Sequence, residues 1–292
     1  MKDRYINPFT DFGFKRIFGE ELNKDLLIDF LNSLLKGEEA VKELTYSKSE
    51  HVGRTATDRK AIFDLYCEND KGEKFIVEIQ KTKQKFFKDR SIYYSTFPIT
   101  KQAEMGDWSR ISRDELKAVY TVAILDFVFD DENKDETVVS HVQLMDTKKK
   151  QVFYDKLTFI YLQMPNFTKT EEELEDHFDM WLYIFKNLHK LHDRPKKLQE
   201  RVFERLFSVA EIAKFTPIEA DEYEESLMVY RDLKNSIDTA REEGKIEGKV
   251  EGESNKAIMV AETMQKNGET DEKIALYTGL SLQEVKALRK TN

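Results

Sequence analysis

The chain has one cysteine, Cys67, and only five prolines and two tryptophans in 292 residues. A lone thiol closes no internal disulfide, which fits a reducing cytosol. No apolar run reaches the roughly 18 residues of a membrane span, so no transmembrane helix is expected. The opening MKDRYINP has no apolar core and does not read as a secretory signal. These absences together predict a cytoplasmic protein. The sequence has no P-loop, no dinucleotide fingerprint and no Gly-x-Ser-x-Gly, so nucleotide-binding and serine-hydrolase readings have no support. The histidines are His51, His141, His177, His189 and His192. Only His189 and His192 have helical spacing, and no cysteine partners them, so no zinc site is expected.

What is present is enough apolar residue, 40%, for a sizeable core, mixed with 35% charge. The length fits one large domain or two ordinary ones. The net charge of −9 argues against a surface coated for nucleic acid but says little about local patches. Most of the acidic excess lies in the second half. Residues 81–90, KTKQKFFKDR, run the other way. Lys81, Lys83, Lys85, Lys88 and Arg90 face one Asp89 there, either as a solvated loop or as a phosphate-binding patch.

Apolar periodicity predicts a short helix through Phe14, Ile17 and Phe18, capped by Thr10 or Asp11. A second helix follows through Leu22, Leu26, Leu27, Phe30, Leu31, Leu34 and Leu35, and stops at Lys36-Gly37. Strands are expected at 42–48, weakly, and at 60–67 and 74–80, joined by the turn 68–73. A helix over 88–105 must kink at Pro98 or begin after it. The run 118–125 is apolar on both faces, as in a central strand, and 157–163 is a further strand. Helices are expected near 172–191, 196–214, 219–243, 255–267 and 271–290. This order predicts an α/β core with a mixed sheet, then an all-helical C-terminal extension. The expected divisions are a core over 1–165, a helical region over 166–240, a glycine-repeat helix or linker over 241–254, and a helical hairpin over 255–292. Trp108 and Trp181 read as packing residues.

Two acids stand inside apolar strands: Asp64 in IFDLY and Glu78 in IVEIQ. A buried carboxylate is costly unless it is paired or holds a cation. A hairpin centred on residue 71 places Asp64 opposite Glu78, with Cβ atoms about 5 Å apart. Two such carboxylates repel unless one takes a proton or a divalent cation lies between them. Hard oxygen ligands suit Mg²⁺ or Mn²⁺. Ion pairing with Lys60 or Lys74 is the alternative. Gln80 shares their face by the two-residue period.

Asp64 followed by Glu78-Ile79-Gln80 resembles the D…ExK signature of PD-(D/E)XK nucleases, in an ExQ form. The stretches NPFTDFGFKRIFG (7–19) and DRKAIFDLYCENDKGEKFIVEIQ (58–80) resemble, more specifically, the PD-(D/E)XK nuclease family transposases, related to the recombination-promoting nuclease (Rpn) group. The resemblance implies a restriction-endonuclease-like core and a link to recombination or mobile DNA. It implies Asp64, Glu78 and the backbone carbonyl of Ile79 as ligands of Mg²⁺ or Mn²⁺. Gln80 then stands where the usual lysine does, and Asp11 matches an acidic residue near the metal. A glutamine cannot exchange a proton usefully, so a second metal or another lysine is needed; Lys60 and Lys15 are candidates. The implied chemistry is metal-assisted phosphodiester hydrolysis of DNA. Lys81, Lys83, Lys85, Lys88 and Arg90 would hold backbone phosphates, without sequence preference. The glutamine also leaves open a catalytically degenerate DNA-binding or assembly protein.

In the second half, Gly244, Gly248 and Gly252 recur every fourth residue, each after a glutamate. They make either a flexible or marginally helical linker or a homodimer seam. Residues 270–290 read as helix, turn and helix, with Ser281 and Glu284 spaced as a capping box. This is a plain helical hairpin or a helix-turn-helix that reads DNA.

Overall fold

The computed structural model describes residues 3–35, 41–47, 50–51, 61–103, 116–129 and 136–291. The run that is apolar on both faces becomes β6 (Val119–Leu125). It is paired in parallel on one side with β5 (Lys74–Gln80) and on the other with β8 (Gln151–Gln163). Outside β5 lie β4 (Leu65–Asn69) and then β1 (Leu44–Tyr46), both antiparallel. Outside β8 lies β7 (Val139–Asp146), also antiparallel. The result is a mixed six-stranded sheet in the order β1-β4-β5-β6-β8-β7, and the fold is α/β. No helix among the described residues is long and apolar enough to cross a membrane.

The two-residue period sorts the side chains of β5. Val77 and Ile79 join Val122, Ile124, Ile160 and Leu162 in the main core. Helices α1 (Asp11–Phe14), α2 (Lys24–Leu34), α4 (His177–Asn187) and α5 (Arg201–Ala210) contribute to that same core. At its centre Phe18, Phe30, Trp181, Phe185 and Phe203 meet ring against ring. Trp181 is fully buried, and its indole N–H donates to Asp29 at 2.8 Å. On the other face Ile76 packs with Phe63, Tyr66, Tyr94 and Phe97, the last two from α3 (Phe87–Ala103). Glu78 and Gln80 share that second face by parity.

Several expectations are corrected. The strand expected over 60–67 is broken. β3 (Ala61–Ile62) pairs with β2 (Glu50–His51) in a separate small sheet, and β4 begins only at Leu65. Asp64 therefore sits in the break, not in mid-strand. Leu22 is 81% exposed, because a single 3₁₀ turn, Glu21–Asn23, precedes α2. The stop at Lys36-Gly37 lies outside the described residues, as do Lys60 and Trp108. α3 starts at Phe87 and runs through Pro98. β7 was not expected: it is an edge strand whose Val142, Leu144 and Met145 are half exposed, so no apolar alternation marks it.

The chain divides into two compact units, Met1–Asp232 and Leu233–Asn292. Where two helices were expected, α6 (Pro217–Lys266) is one helix, continuous through the glycine repeat. A Cβ at Gly244, Gly248 or Gly252 would meet no atom of the described residues within 4 Å. In the second unit, α7 (Asp271–Thr278) and α8 (Leu282–Thr291) close on the end of α6 through Ile274, Val285 and Ala261. The capping box forms: the Ser281 N–H donates to Glu284 at 2.7 Å, and the Glu284 N–H donates to Ser281 Oγ at 3.3 Å.

Candidate active site

The segment Asn7-Pro8-Phe9-Thr10 is a hydrogen-bonded turn. The Thr10 hydroxyl donates to the Asn7 carbonyl at 2.8 Å and accepts from the Gly13 N–H at 2.9 Å. Thr10 is therefore the N-cap of α1. A Cβ on Gly13 would lie 2.2 Å from the Asn7 oxygen, so only glycine fits there. Asp11, freed from capping, projects outward with its carboxylate 2.9 Å from the Lys15 ammonium. The start of α6 anchors this segment from a distant part of the chain. Tyr223 accepts from the Asn7 N–H at 2.9 Å, and Ser226 accepts from the Phe12 N–H at 3.1 Å.

The hairpin β4–β5 has the predicted register, with Leu65 opposite Val77 and Glu68 opposite Lys74. Its turn needs Gly72, at φ 82°, a left-handed conformation other residues avoid. Regular pairing stops at Leu65. One residue earlier the Asp64 carboxylate accepts the Ile79 N–H at 2.8 Å. The side chain thus takes over a ladder hydrogen bond, which explains both the break in the strand and the burial of a charge. Burial pushes the Asp64 carboxyl above its ordinary range, while the Ile79 hydrogen bond holds it down. Asp11 adds to the rise, and Lys15 and Lys81 oppose it.

Asp64 opens into a cavity of about 720 Å³. Asp11 and Lys15 line it from α1 and the turn after it, Lys81 from the end of β5, and Glu222 and Glu225 from α6. Lys81 is half-buried, and burial pulls its ammonium below the usual lysine range.

Glu78 is 6% exposed and, unlike Asp64, does not line the cavity, though it is close enough to feel the Asp64 charge. Among the described residues its Oε1 has no hydrogen-bond partner, and its Oε2 is 3.6 Å from Arg90. Burial first, and the Asp64 charge second, push its carboxyl up to about 8, against the pull of Arg90. Of the two lysines of the alternative ion-pair reading, Lys74 pairs with Glu68 instead, and Lys60 lies outside the described residues. Gln80 is buried as well. Its amide donates to the Thr82 carbonyl at 3.0 Å, and its oxygen accepts from Arg90.

The basic run does not behave as one patch. Arg90 is drawn inward, against Glu78 and Gln80, with its guanidinium over the rings of Phe87 and Tyr94. Lys81 enters the cavity. Lys83, Lys85 and Lys88 remain exposed, Lys85 over Phe86 and Lys88 over Phe129. Arg90 in its inward role, and the two glutamates of α6, were not foreseen. The only local signal for Arg90 was its place in the first turn of α3. The α6 residues carry none, because they come from more than 130 residues away in sequence.

The donor set bears on a cation. Among the described residues no group of three or more His, Cys, Asp or Glu side chains is arranged to hold a metal. Two carboxylates, one with an unpartnered buried oxygen, are nonetheless the hard-oxygen chemistry a divalent ion takes. PD-(D/E)XK nucleases as a group typically use such ions.

Comparison with known families agrees with this arrangement. The family model of the PD-(D/E)XK nuclease family transposases matches residues 8–240, from the Thr10 turn through the cavity-lining part of α6. No curated protein and no solved structure matches the chain. With the strands, both carboxylates and the first part of α6 inside the matched span, the chain belongs to the PD-(D/E)XK nuclease family transposases.

Proposed function

We propose that the protein is a divalent-metal-dependent DNA endonuclease of the transposase-like, recombination-promoting type. The observation that carries this reading is Glu78: a buried carboxylate with an oxygen unpartnered among the described residues, close enough to feel the charge of an Asp64 that opens into a cavity. Asp64, Glu78 and the Ile79 carbonyl would hold Mg²⁺ or Mn²⁺. A divalent ion there supplies Lewis acidity and positive charge for phosphodiester hydrolysis. Asp11 flanks the cavity as a further acid. Lys15 and Lys81, rather than Gln80, carry positive charge toward the scissile phosphate, since both line the cavity that Gln80 does not. Lys60, the other lysine proposed for this role, lies outside the described residues. Arg90 and Gln80 position Glu78. Lys83, Lys85 and Lys88 hold backbone phosphates, giving salt-sensitive binding. Cleavage belongs to the core of 1–165, completed by the 166–240 helices through Glu222 and Glu225. Supercoiled plasmid incubated with the protein should be nicked with Mg²⁺ or Mn²⁺ and stay intact in EDTA; intact plasmid with every metal would move the reading to a degenerate binding protein.

A second DNA contact is favoured by one observation: the hairpin α7–α8 packs on a third helical segment through Ala261, Ile274 and Val285. That is the minimal core of a helix-turn-helix. Gln283→Ala with Lys286→Ala should then weaken duplex binding in fluorescence anisotropy, whereas a plain hairpin would leave it unchanged. The open glycine face of α6 supports a homodimer through 241–254, since empty space at all three glycines admits a second backbone. Light scattering should report a dimer that Gly248→Leu converts to a monomer. If the glycines are instead solvated, the mass is the same in both, and Gly248→Ala stabilises the helix by up to about 1 kcal/mol.

A further inference from the structure

A second cleft, of about 540 Å³, lies at the start of α3, with Arg90 in its lining. Its walls are aromatic: Phe86, Tyr93 and Tyr94. Phe86 is 65% exposed and Tyr93 36%. Phe86 immediately precedes α3 and Tyr93 lies in its second turn. Among the described residues the Phe86 ring belongs to no hydrophobic cluster, and the Lys85 ammonium stands 5.6 Å from its centre. An exposed aromatic with cations beside it is the composition of a stacking platform for nucleobases.

The charges around the cleft sort its occupant. Asp89 lines it together with Lys85 and Arg90, so cations and an acid share the rim of an aromatic cleft. Lys83 and Lys88, exposed and adjacent in sequence to the cleft residues, would take phosphates on either side of an inserted base. Gln84 and Arg90 line the cleft and are joined by a 2.6 Å hydrogen bond. Gln84 offers an amide that can meet a base edge. Arg90 also touches Glu78 and Gln80, so it is the common wall of cleft and candidate active site. A flat, uncharged group entering between phosphates, next to a phosphodiester-cleaving site, is a base that has left its stack.

We propose that this cleft seats an unpaired nucleobase, and that the substrate is single-stranded DNA or an unpaired segment rather than intact duplex. The substrate half of this rests on the nuclease reading; the base seat does not. The test is fluorescence anisotropy in EDTA, where no cleavage interferes, with labelled oligothymidine and a mixed-sequence duplex of equal length. The wild type should bind oligothymidine more tightly than duplex. Phe86→Ala and Tyr93→Ala should each weaken oligothymidine binding about tenfold or more and leave duplex binding unchanged. Phe86→Trp should restore it. Phe86 is 65% exposed and joins no core among the described residues, so thermal melts of the variants should match the wild type's. Equal affinity for both DNAs, or oligothymidine binding unaffected by both alanines, would overturn the proposal. Oligothymidine binding unaffected by both alanines, with metal-dependent cleavage present, sinks the seat alone. Intact stacking with no cleavage under any metal sinks the nuclease reading alone.

Discussion

Asp64→Asn and Glu78→Gln should each lower metal-dependent plasmid cleavage by at least about 10³-fold without unfolding the protein. The two substitutions are nearly isosteric and remove charge, not volume. In Asp64→Asn the amide oxygen can still accept the Ile79 N–H, so the end of the β4–β5 ladder survives. Glu78→Gln keeps the packing on the α3 face. What is lost is the pair of anionic oxygens that would neutralise a cation. Cleavage rates on supercoiled plasmid, with thermal melts of the same preparations, separate this from misfolding. A variant that melts normally and cuts normally would show the acid it lacks to be structural.

The metal-free protein should lose stability as pH rises from about 5 to 8, by on the order of 4 kcal/mol from Glu78 alone. Unfolded, this carboxyl has its ordinary value near 4.5; folded, burial and Asp64 lift it to about 8. Between those values the folded state holds a proton that the unfolded state has released. Stability is therefore full below the lower value and falls as pH climbs through the upper one. Glu78→Gln cannot ionise, so its stability should be flatter across the interval and exceed the wild type's at pH 8. Mg²⁺ should offset the loss in the wild type, because a cation favours the ionised carboxylate. Chemical denaturation at pH 5, 6.5 and 8 in EDTA measures the slope. A wild type as flat as Glu78→Gln would mean that Glu78 is already ionised and compensated.

The fold and the carboxylates were legible to different depths. β5 and β6 announce themselves as dense apolar runs, and the turn between β4 and β5 has the length and the glycine to fix its register. The acids stand out because an unpaired carboxylate in an apolar strand needs a reason. The break at Asp64 was not legible, since nothing local says that its side chain will replace a backbone acceptor for Ile79. Arg90 reads as one more cation in a basic run, and only the packing of α3 on the sheet turns it toward Glu78 and Gln80. The glycines of α6 argued for an interruption that the helix does not make. Their propensity penalty is spread along fifty residues whose ends are held by separate cores. The α6 wall of the cavity depends on contacts from Tyr223 and Ser226 to a turn at the opposite end of the chain.

Mn²⁺ titration followed by electron paramagnetic resonance measures the Asp64–Glu78 centre most directly, because bound ion loses the sharp signal of free ion. The wild type should deplete free Mn²⁺ at neutral pH, and Asp64→Asn with Glu78→Gln in one chain should leave it free. Equal depletion by both proteins would contradict a metal centre built on these two carboxylates.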